Sequence, residues 1–353
     1  MIASNFTFAK QVFVTLLLGI FSLALPAQDI HYSQFKNAPF LLSPGLTGVF
    51  NGKTRLSANY RSQWENVPVS YRTLLAAFDT KLYSNKHQTS FWGLGAVFSF
   101  DQAGDSKMGT TSLGLNASYT HQLARAHFVT AGLQVAGAQR AFRTEQLRFD
   151  EQYNGETFDP QASNNEDFSD RSVFYGDLSV GLNWHFQKPR RRTNFNLGGG
   201  LFHLNEPNTS FWGEADIVLF RRLNGYFLGQ LQVADRFDWL VNGLIRTQGP
   251  YDERLLGTAG RIHLNTVPTK RLALDLGLAY RWNTAGFGNG DALVPNIEFN
   301  YKDWMLGISY DINLTDFNTA TGGAGGPEFA LQYIFRPAPQ IEFCPTCPVY
   351  LLP

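Results

Sequence analysis

The sequence predicts an all-β fold: a transmembrane antiparallel β-barrel of about 14 strands from a bacterial outer membrane. Three observations point there. Apolar and polar residues alternate with a period of two from near residue 53 to residue 335, as they do on a strand with one oily and one wet face. Many of these stretches run to roughly ten to fourteen residues, longer than strands of globular sheets and suited to a tilted bilayer crossing. Short and long connections take turns, as periplasmic turns and extracellular loops do.

Taken in order, residues 1–27 read as a secretory signal peptide. Lys10 supplies the positive start, Val12 to Leu25 the apolar stretch, and Leu25-Pro26-Ala27 a small residue before the cut. The mature chain is expected to begin at Gln28. Residues 28–52 form an N-terminal periplasmic or plug segment, 53–336 the barrel, and 337–353 a periplasmic C-terminal tail.

Strands are expected near 53–63, 71–82, 90–101, 110–122, 127–142, 172–187, 193–203, 222–233, 238–247, 254–265, 271–282, 291–301, 304–313 and 327–336. The stretch 177–186 is representative. Leu178, Val180, Leu182, Trp184 and Phe186 face one way, and Asp177, Ser179, Gly181, Asn183 and His185 the other. Leu56, Ala58 and Tyr60 oppose Arg55, Ser57 and Asn59 in the same manner, and Trp304, Leu306 and Ile308 oppose Gly307, Ser309 and Asp311. A soluble sandwich alternates too. The aromatic residues separate the two cases: Tyr60, Trp64, Tyr71, Trp92, Tyr119, Trp184, Tyr280, Trp282, Tyr301 and Trp304 gather near strand ends, as interfacial girdles do. The polar inward faces suit a wet lumen, and an even strand count leaves both termini in the periplasm.

Composition narrows the rest. The mature chain has no run of 18 apolar residues, which argues against membrane-spanning helices. With 29 basic and 29 acidic residues, nothing in the charge balance points to nucleic acid. The 44% hydrophobic content, with 33 glycines and 30 phenylalanines, argues against disorder. Cys344 and Cys347, the only cysteines, lie in the last ten residues, so no disulfide staples the barrel.

The segment Gln34-Phe35-Lys36-Asn37-Ala38-Pro39, running on through Leu46-Thr47-Gly48-Val49-Phe50-Asn51-Gly52, leads into Tyr60-Arg61-Ser62-Gln63-Trp64. Further marks are Asp150-Glu151-Gln152-Tyr153-Asn154-Gly155 with Phe158-Asp159-Pro160, and His203-Leu204-Asn205-Glu206-Pro207-Asn208 followed by Ser210-Phe211. Ser309-Tyr310-Asp311, the Gly-rich stretch before Glu328 and the Cys-Pro close of the tail complete the series. In these residues the chain resembles the PorP/SprF family of type IX secretion system outer-membrane proteins, in order and over essentially the whole mature length. Ser43-Pro44-Gly45 stands where the family usually shows Asn-Pro-Ala.

The resemblance implies a component of the type IX secretion, gliding and cell-surface anchoring machinery. Its implied partners are a secreted surface protein or its C-terminal sorting domain, a periplasmic peptidoglycan-associated lipoprotein and outer-membrane lipid. The candidate partner-binding residues are His203, Asn205, Pro207, Asn208 and Phe211 in one outer loop, Tyr153 and Phe158 in another, and Cys344 and Cys347 in the tail. For any single residue of the His203 motif, the preferred reading is that Asn205 and Pro207 shape a turn where the seventh strand ends.

Other chemistries find little support. The acidic residues Asp150, Glu151, Asp159, Glu166, Asp167 and Asp170 lack the spacing of a calcium loop. Cys344 and Cys347 have no second ligand pair for zinc, and no thioredoxin-like context surrounds them; a local disulfide or docking thiols stay open. His121 and His185 are read as inward-facing lumen lining, since neither comes with a nucleophile motif. The triple glycine 198–200 lies within a strand, where it allows close packing or bending. No cofactor is expected and no catalytic residue is named. The chain is expected to be a non-enzymatic barrel that binds, anchors or helps export surface proteins; the alternative is a porin-like channel for small solutes. Its expected location is the outer membrane of a Gram-negative bacterium, reached through the cleaved signal peptide.

Overall fold

Fourteen antiparallel strands close on themselves in a computed structural model that describes residues 29–336 apart from 64–70, 84–88, 105, 145–146, 160, 164–167, 169, 215–216, 284–289 and 315–323. The expected signal peptide and tail, Cys344 and Cys347 included, lie outside the described residues. The strands are β1 Thr54–Gln63, β2 Tyr71–Tyr83, β3 Ser90–Ala103, β4 Met108–Ala124, β5 His127–Ala141, β6 Ser172–Gln187 and β7 Asn194–Phe202. They continue as β8 Arg222–Ala234, β9 Phe237–Gln248, β10 Tyr251–Asn265, β11 Leu272–Asn283, β12 Ala292–Tyr301, β13 Trp304–Asn313 and β14 Ala324–Phe335. Each strand pairs with its chain neighbours. β1 pairs with β14 in a register running from Thr54 opposite Phe335 to Arg61 opposite Glu328, which leaves no open edge.

Alternation of side chains translates directly into alternation of burial. In β6, Asp177, Ser179, Asn183 and His185 are buried, whereas Leu182 is 62% exposed. Exposed leucines around polar interiors invert a soluble core, and the solvent that stabilises them is the hydrocarbon of the outer membrane. Outward Trp92, Tyr119, Trp239, Tyr301 and Trp304 gather towards one end of the wall, and Tyr60, Tyr280 and Tyr310 towards the other. Between β12 and β13 the ladder skips Val294 and Pro295, where proline has no N–H to give.

The two-residue turns 125–126, 235–236 and 302–303 share one end of the barrel, the periplasmic end by their length. The opposite, outer end carries 142–171 and 203–221. Two outer connections break the rule of length: β3 and β4 are joined by residues 104–107, and β9 and β10 by residues 249–250 alone. His121 corrects its inward assignment. It shares parity with Leu113, Leu115 and Tyr119, is exposed, and contacts Ser90 Oγ at 2.9 Å.

The lumen is not simply wet. Residues 29–52 fold inside it as two short 3-10 turns, Phe35–Asn37 and Pro44–Leu46, flanking one helical turn at Pro39–Leu42. Tyr32, Phe35, Phe40, Leu42 and Leu46 are all buried. Phe35, Leu42 and Leu46 pack with Tyr226, Leu244, Leu255 and Val294 of the wall, and Tyr32 and Phe40 with Leu75 and Val97. Prolines at the first helical positions, Pro39 and Pro44, suit these short turns because the missing N–H would be unpaired there anyway.

The segment runs the height of the barrel. Asp29 lies against Arg222 and Gln248 at the outer ends of β8 and β9, while Phe50 O meets Lys81 near the periplasmic end of β2. Asp29, the first described residue, is therefore at the outer mouth. This corrects the expectation that both ends lie in the periplasm: the barrel begins and ends there, but the chain before β1 turns back into the lumen.

Candidate functional site

The wall holds the lumen segment chiefly by its backbone. Glu328 of β14 accepts the N–H groups of Ser33 and Gln34 at 2.8 and 2.7 Å. Arg61 donates to His31 O at 2.7 Å, and Asn224 donates to Leu41 O and Leu42 O at 2.7 and 3.1 Å. Ser118 donates to Thr47 O at 2.7 Å, and Asp79 accepts Gly48 N–H at 2.7 Å. These wall groups are themselves paired. Arg55 grips Asp79 with two bonds of 2.9 and 2.8 Å, and Asp311 receives Arg61 at 2.6 Å and Arg281 at 2.8 Å. Buried charges of this kind are tolerable only when paired and hydrogen-bonded.

Glycines let the two backbones meet. A Cβ at Gly200 would lie 2.6 Å from Leu42 O, and a Cβ at Gly132 or Gly181 would run into Pro44 O or Ser43 Oγ. The last of the three glycines at 198–200 thus serves close packing. Towards the periplasmic end a cavity of about 300 Å³ remains beside the segment, lined by polar groups including Lys36, Asn194, Arg261 and Glu298. Lys36 Nζ is 2.8 Å from Glu298.

At the outer mouth this interior joins the loops through His203. The residue sits one position past β7 in the left-handed region, with φ 57°. Its Nε2 is 2.9 Å from Asp29 Oδ2, and its Nδ1 is 3.0 Å from Asp177 Oδ1. Burial works against a charge on the ring, but the two carboxylates outweigh it and hold His203 above its ordinary value. Burial likewise opposes ionisation of Asp29, yet Arg222 and His203 keep that carboxyl well below the usual carboxylate range.

Asn205 caps the edge that β7 leaves behind. It accepts Leu178 N–H at 3.1 Å and donates to Gly176 O at 2.8 Å, continuing the pairing of β6 beyond Phe202. Pro207 O accepts Leu219 N–H at 2.9 Å, and Asn208 faces Val218 in an antiparallel bridge. Asn208 Oδ1 accepts Ser210 N–H at 2.8 Å. Phe211 packs edge-on against Phe142 at 4.9 Å, joining the two long loops, and the Arg140 guanidinium lies over the Phe211 ring at 5.9 Å. In the other loop Tyr153 and Phe158 face each other across a bridge, and Asn154 Oδ1 accepts Glu156 and Thr157 N–H at 3.0 and 2.8 Å.

The candidates thus divide. His203, Asn205, Pro207 and Asn208 build the outer mouth, whereas Tyr153 and Phe158 present themselves to solvent. Trp212, which the sequence reading passed over, is 60% exposed beside Phe211. Asp29, Asp177 and Arg222 were also missed, because only the closed barrel brings them to His203. Among the described residues, no group of three or more His, Cys, Asp or Glu side chains is placed to hold a metal.

Residues 24–325 match the family described as type IX secretion system membrane protein PorP/SprF. The chain belongs to the PorP/SprF family. No curated protein matches it. Among solved structures, this PorP/SprF barrel is similar to the Ralstonia pickettii toluene transporter TbuX, at 11% identity and TM-score 0.47 over 85% of this chain and 94% of that one. It is similar to a Pseudomonas aeruginosa FadL homologue at 10% identity and TM-score 0.48, over 83% and 93%. The Haemophilus ducreyi BamA structure lacking POTRA domains 1–3 gives 10% and 0.42, over 80% and 70%. At that similarity these barrels say nothing about what the PorP/SprF chain binds.

Proposed function

We propose that this PorP/SprF barrel is a non-enzymatic part of the type IX secretion and gliding machinery that binds, anchors or helps export secreted surface proteins at its outer loops. The observation that carries the reading is the occupied lumen. Residues 29–52 are hydrogen-bonded and packed into the wall from the outer mouth to the periplasmic end, which favours work at the ends of the barrel over passage through it. The same packing weighs against the porin-like alternative. The outer end offers two long loops that meet through Phe142 and Phe211, with Tyr153, Phe158 and Trp212 at the surface. Exposed aromatics on a braced frame suit a protein partner, and the partner in this reading is a secreted surface protein or its C-terminal sorting domain. A peptidoglycan-associated lipoprotein would engage the periplasmic side.

The test is purification of the tagged barrel from native outer membranes in gentle detergent, with mass spectrometry of what accompanies it. A secreted protein with a sorting domain, recovered stoichiometrically with the wild type and lost with Trp212→Ala/Tyr153→Ala, supports the reading. Recovery of the barrel alone overturns it.

A further inference from the structure

The sequence is neutral as a whole, with 29 basic and 29 acidic residues, but the fold separates the charges. At the periplasmic end Lys188, Arg190, Arg191 and Arg236 are exposed in two neighbouring turns, with Asp235 the exposed carboxylate beside them. Arg192 ties these turns together, donating to Ala234 O and Asp235 O, both at 3.0 Å, while its charge is met by Asp238. The cations around it are thus held on one contiguous stretch of rim.

Below them, on the outward face of the wall, lies a ladder of rings. Trp184 and Phe186 are 6.3 Å apart, Phe186 and Phe195 5.8 Å, and Phe195 and Phe227 5.8 Å, each pair near-parallel. Gly229 leaves a dip between Phe195 and Phe227, where a Cβ would touch both rings. Cations directly bordering outward aromatics at the end of a membrane wall occupy the level of lipid headgroups. The two-residue turn 235–236 projects too little to carry Arg236 far beyond that level.

We propose that the periplasmic edge of β6–β9 is a binding site for an anionic glycerophospholipid of the inner leaflet. The headgroup phosphate lies against Lys188, Arg191 and Arg236, and an acyl chain lies along the Trp184–Phe227 ladder. Charge complementarity favours the anionic headgroup over zwitterionic lipid, and the adjoining apolar ladder favours a lipid over a water-soluble polyanion. The site does not depend on the anchoring role of the outer loops.

Native mass spectrometry of the full barrel released from micelles holding equal phosphatidylglycerol and phosphatidylcholine tests this. The wild type is expected to retain phosphatidylglycerol preferentially. Lys188→Gln/Arg191→Gln/Arg236→Gln should weaken that binding by on the order of 100-fold at low salt, whereas Arg148→Gln/Arg171→Gln at the outer end should leave it unchanged. Phe195→Ala should reduce retention with no change of charge. Heat-modifiable gel migration establishes that each variant is folded. Absence of a headgroup preference in the wild type, or equal retention by the triple variant, overturns the proposal. Binding of soluble polyglutamate without phosphatidylglycerol preference also overturns it, and makes the rim a protein-docking surface.

Discussion

Glu328 on the last strand accepts the backbone N–H groups of both Ser33 and Gln34, one at each carboxylate oxygen, at 2.8 and 2.7 Å. A wall residue here reads the lumen segment through its main chain, and Arg61 and Arg281 are close enough to share the carboxylate network through Asp311. Glu328→Gln keeps the shape but replaces one acceptor by a donor that faces an N–H. The expected loss is about 1–3 kcal/mol. Urea unfolding in lipid vesicles, followed by tryptophan fluorescence, measures it; a midpoint unchanged from wild type would contradict the role assigned to this carboxylate.

Displacing the segment without touching the charges separates plugging from stability. Gly181→Val puts a side chain where Ser43 and Pro44 now lie, with Pro44 Cδ already 2.9 Å from a Cβ at that position. The outcome expected is ion conductance in planar bilayers and faster trypsin cleavage after Lys36, the one lysine or arginine between Asp29 and Gly52. A silent, protease-resistant variant would mean that the segment accommodates the valine in place.

The mouth should respond to pH through His203. Its folded value lies above the ordinary 6.5, so the stability contributed by its charged form is full below 6.5 and is lost as pH rises through the folded value. Asp29 acts with the opposite sign: its value is lowered, and its contribution is lost only in strong acid. His203→Gln should therefore flatten the decline in stability on the alkaline side of 6.5. Thermal unfolding across a pH series would show an identical slope in both proteins if the ring were not charged.

The loops offer a division of labour. Phe211→Ala removes the contact with Phe142 and is expected to cost about 1–2 kcal/mol, felt mainly as protease sensitivity of both loops. Trp212→Ala removes an exposed ring and should change stability by less than about 0.5 kcal/mol, while reducing retention of the secreted partner. Equal loss of stability in the two variants would show that Trp212 braces the loop instead.

The strands were legible in the sequence because a period of two is a local property. Leu178 and Asp177 differ in polarity wherever the chain goes, and the bilayer needs only that difference to set which faces outward. The turn-forming character of Asn205 and Pro207 is local in the same sense, and both shape the exit from β7. The outward side of His121 is local too, because it shares the parity of Leu113 and Tyr119.

What filled the barrel was a different matter. The polar inward residues are the same whether they meet water or a peptide backbone, so Arg55, Asn224 and Glu328 could not announce the segment they bind. Asp29 is 174 residues from His203 and 193 from Arg222, and nothing short of barrel closure brings them together. The sequence by itself determined the membrane-facing surface, the strand order and the family. The tertiary structure alone decided that the lumen is occupied, that the chain before β1 reaches the outer mouth, and that Lys188, Arg191 and Arg236 share one rim. Alternation is written residue by residue, whereas these contacts exist only once fourteen strands have closed into a ring.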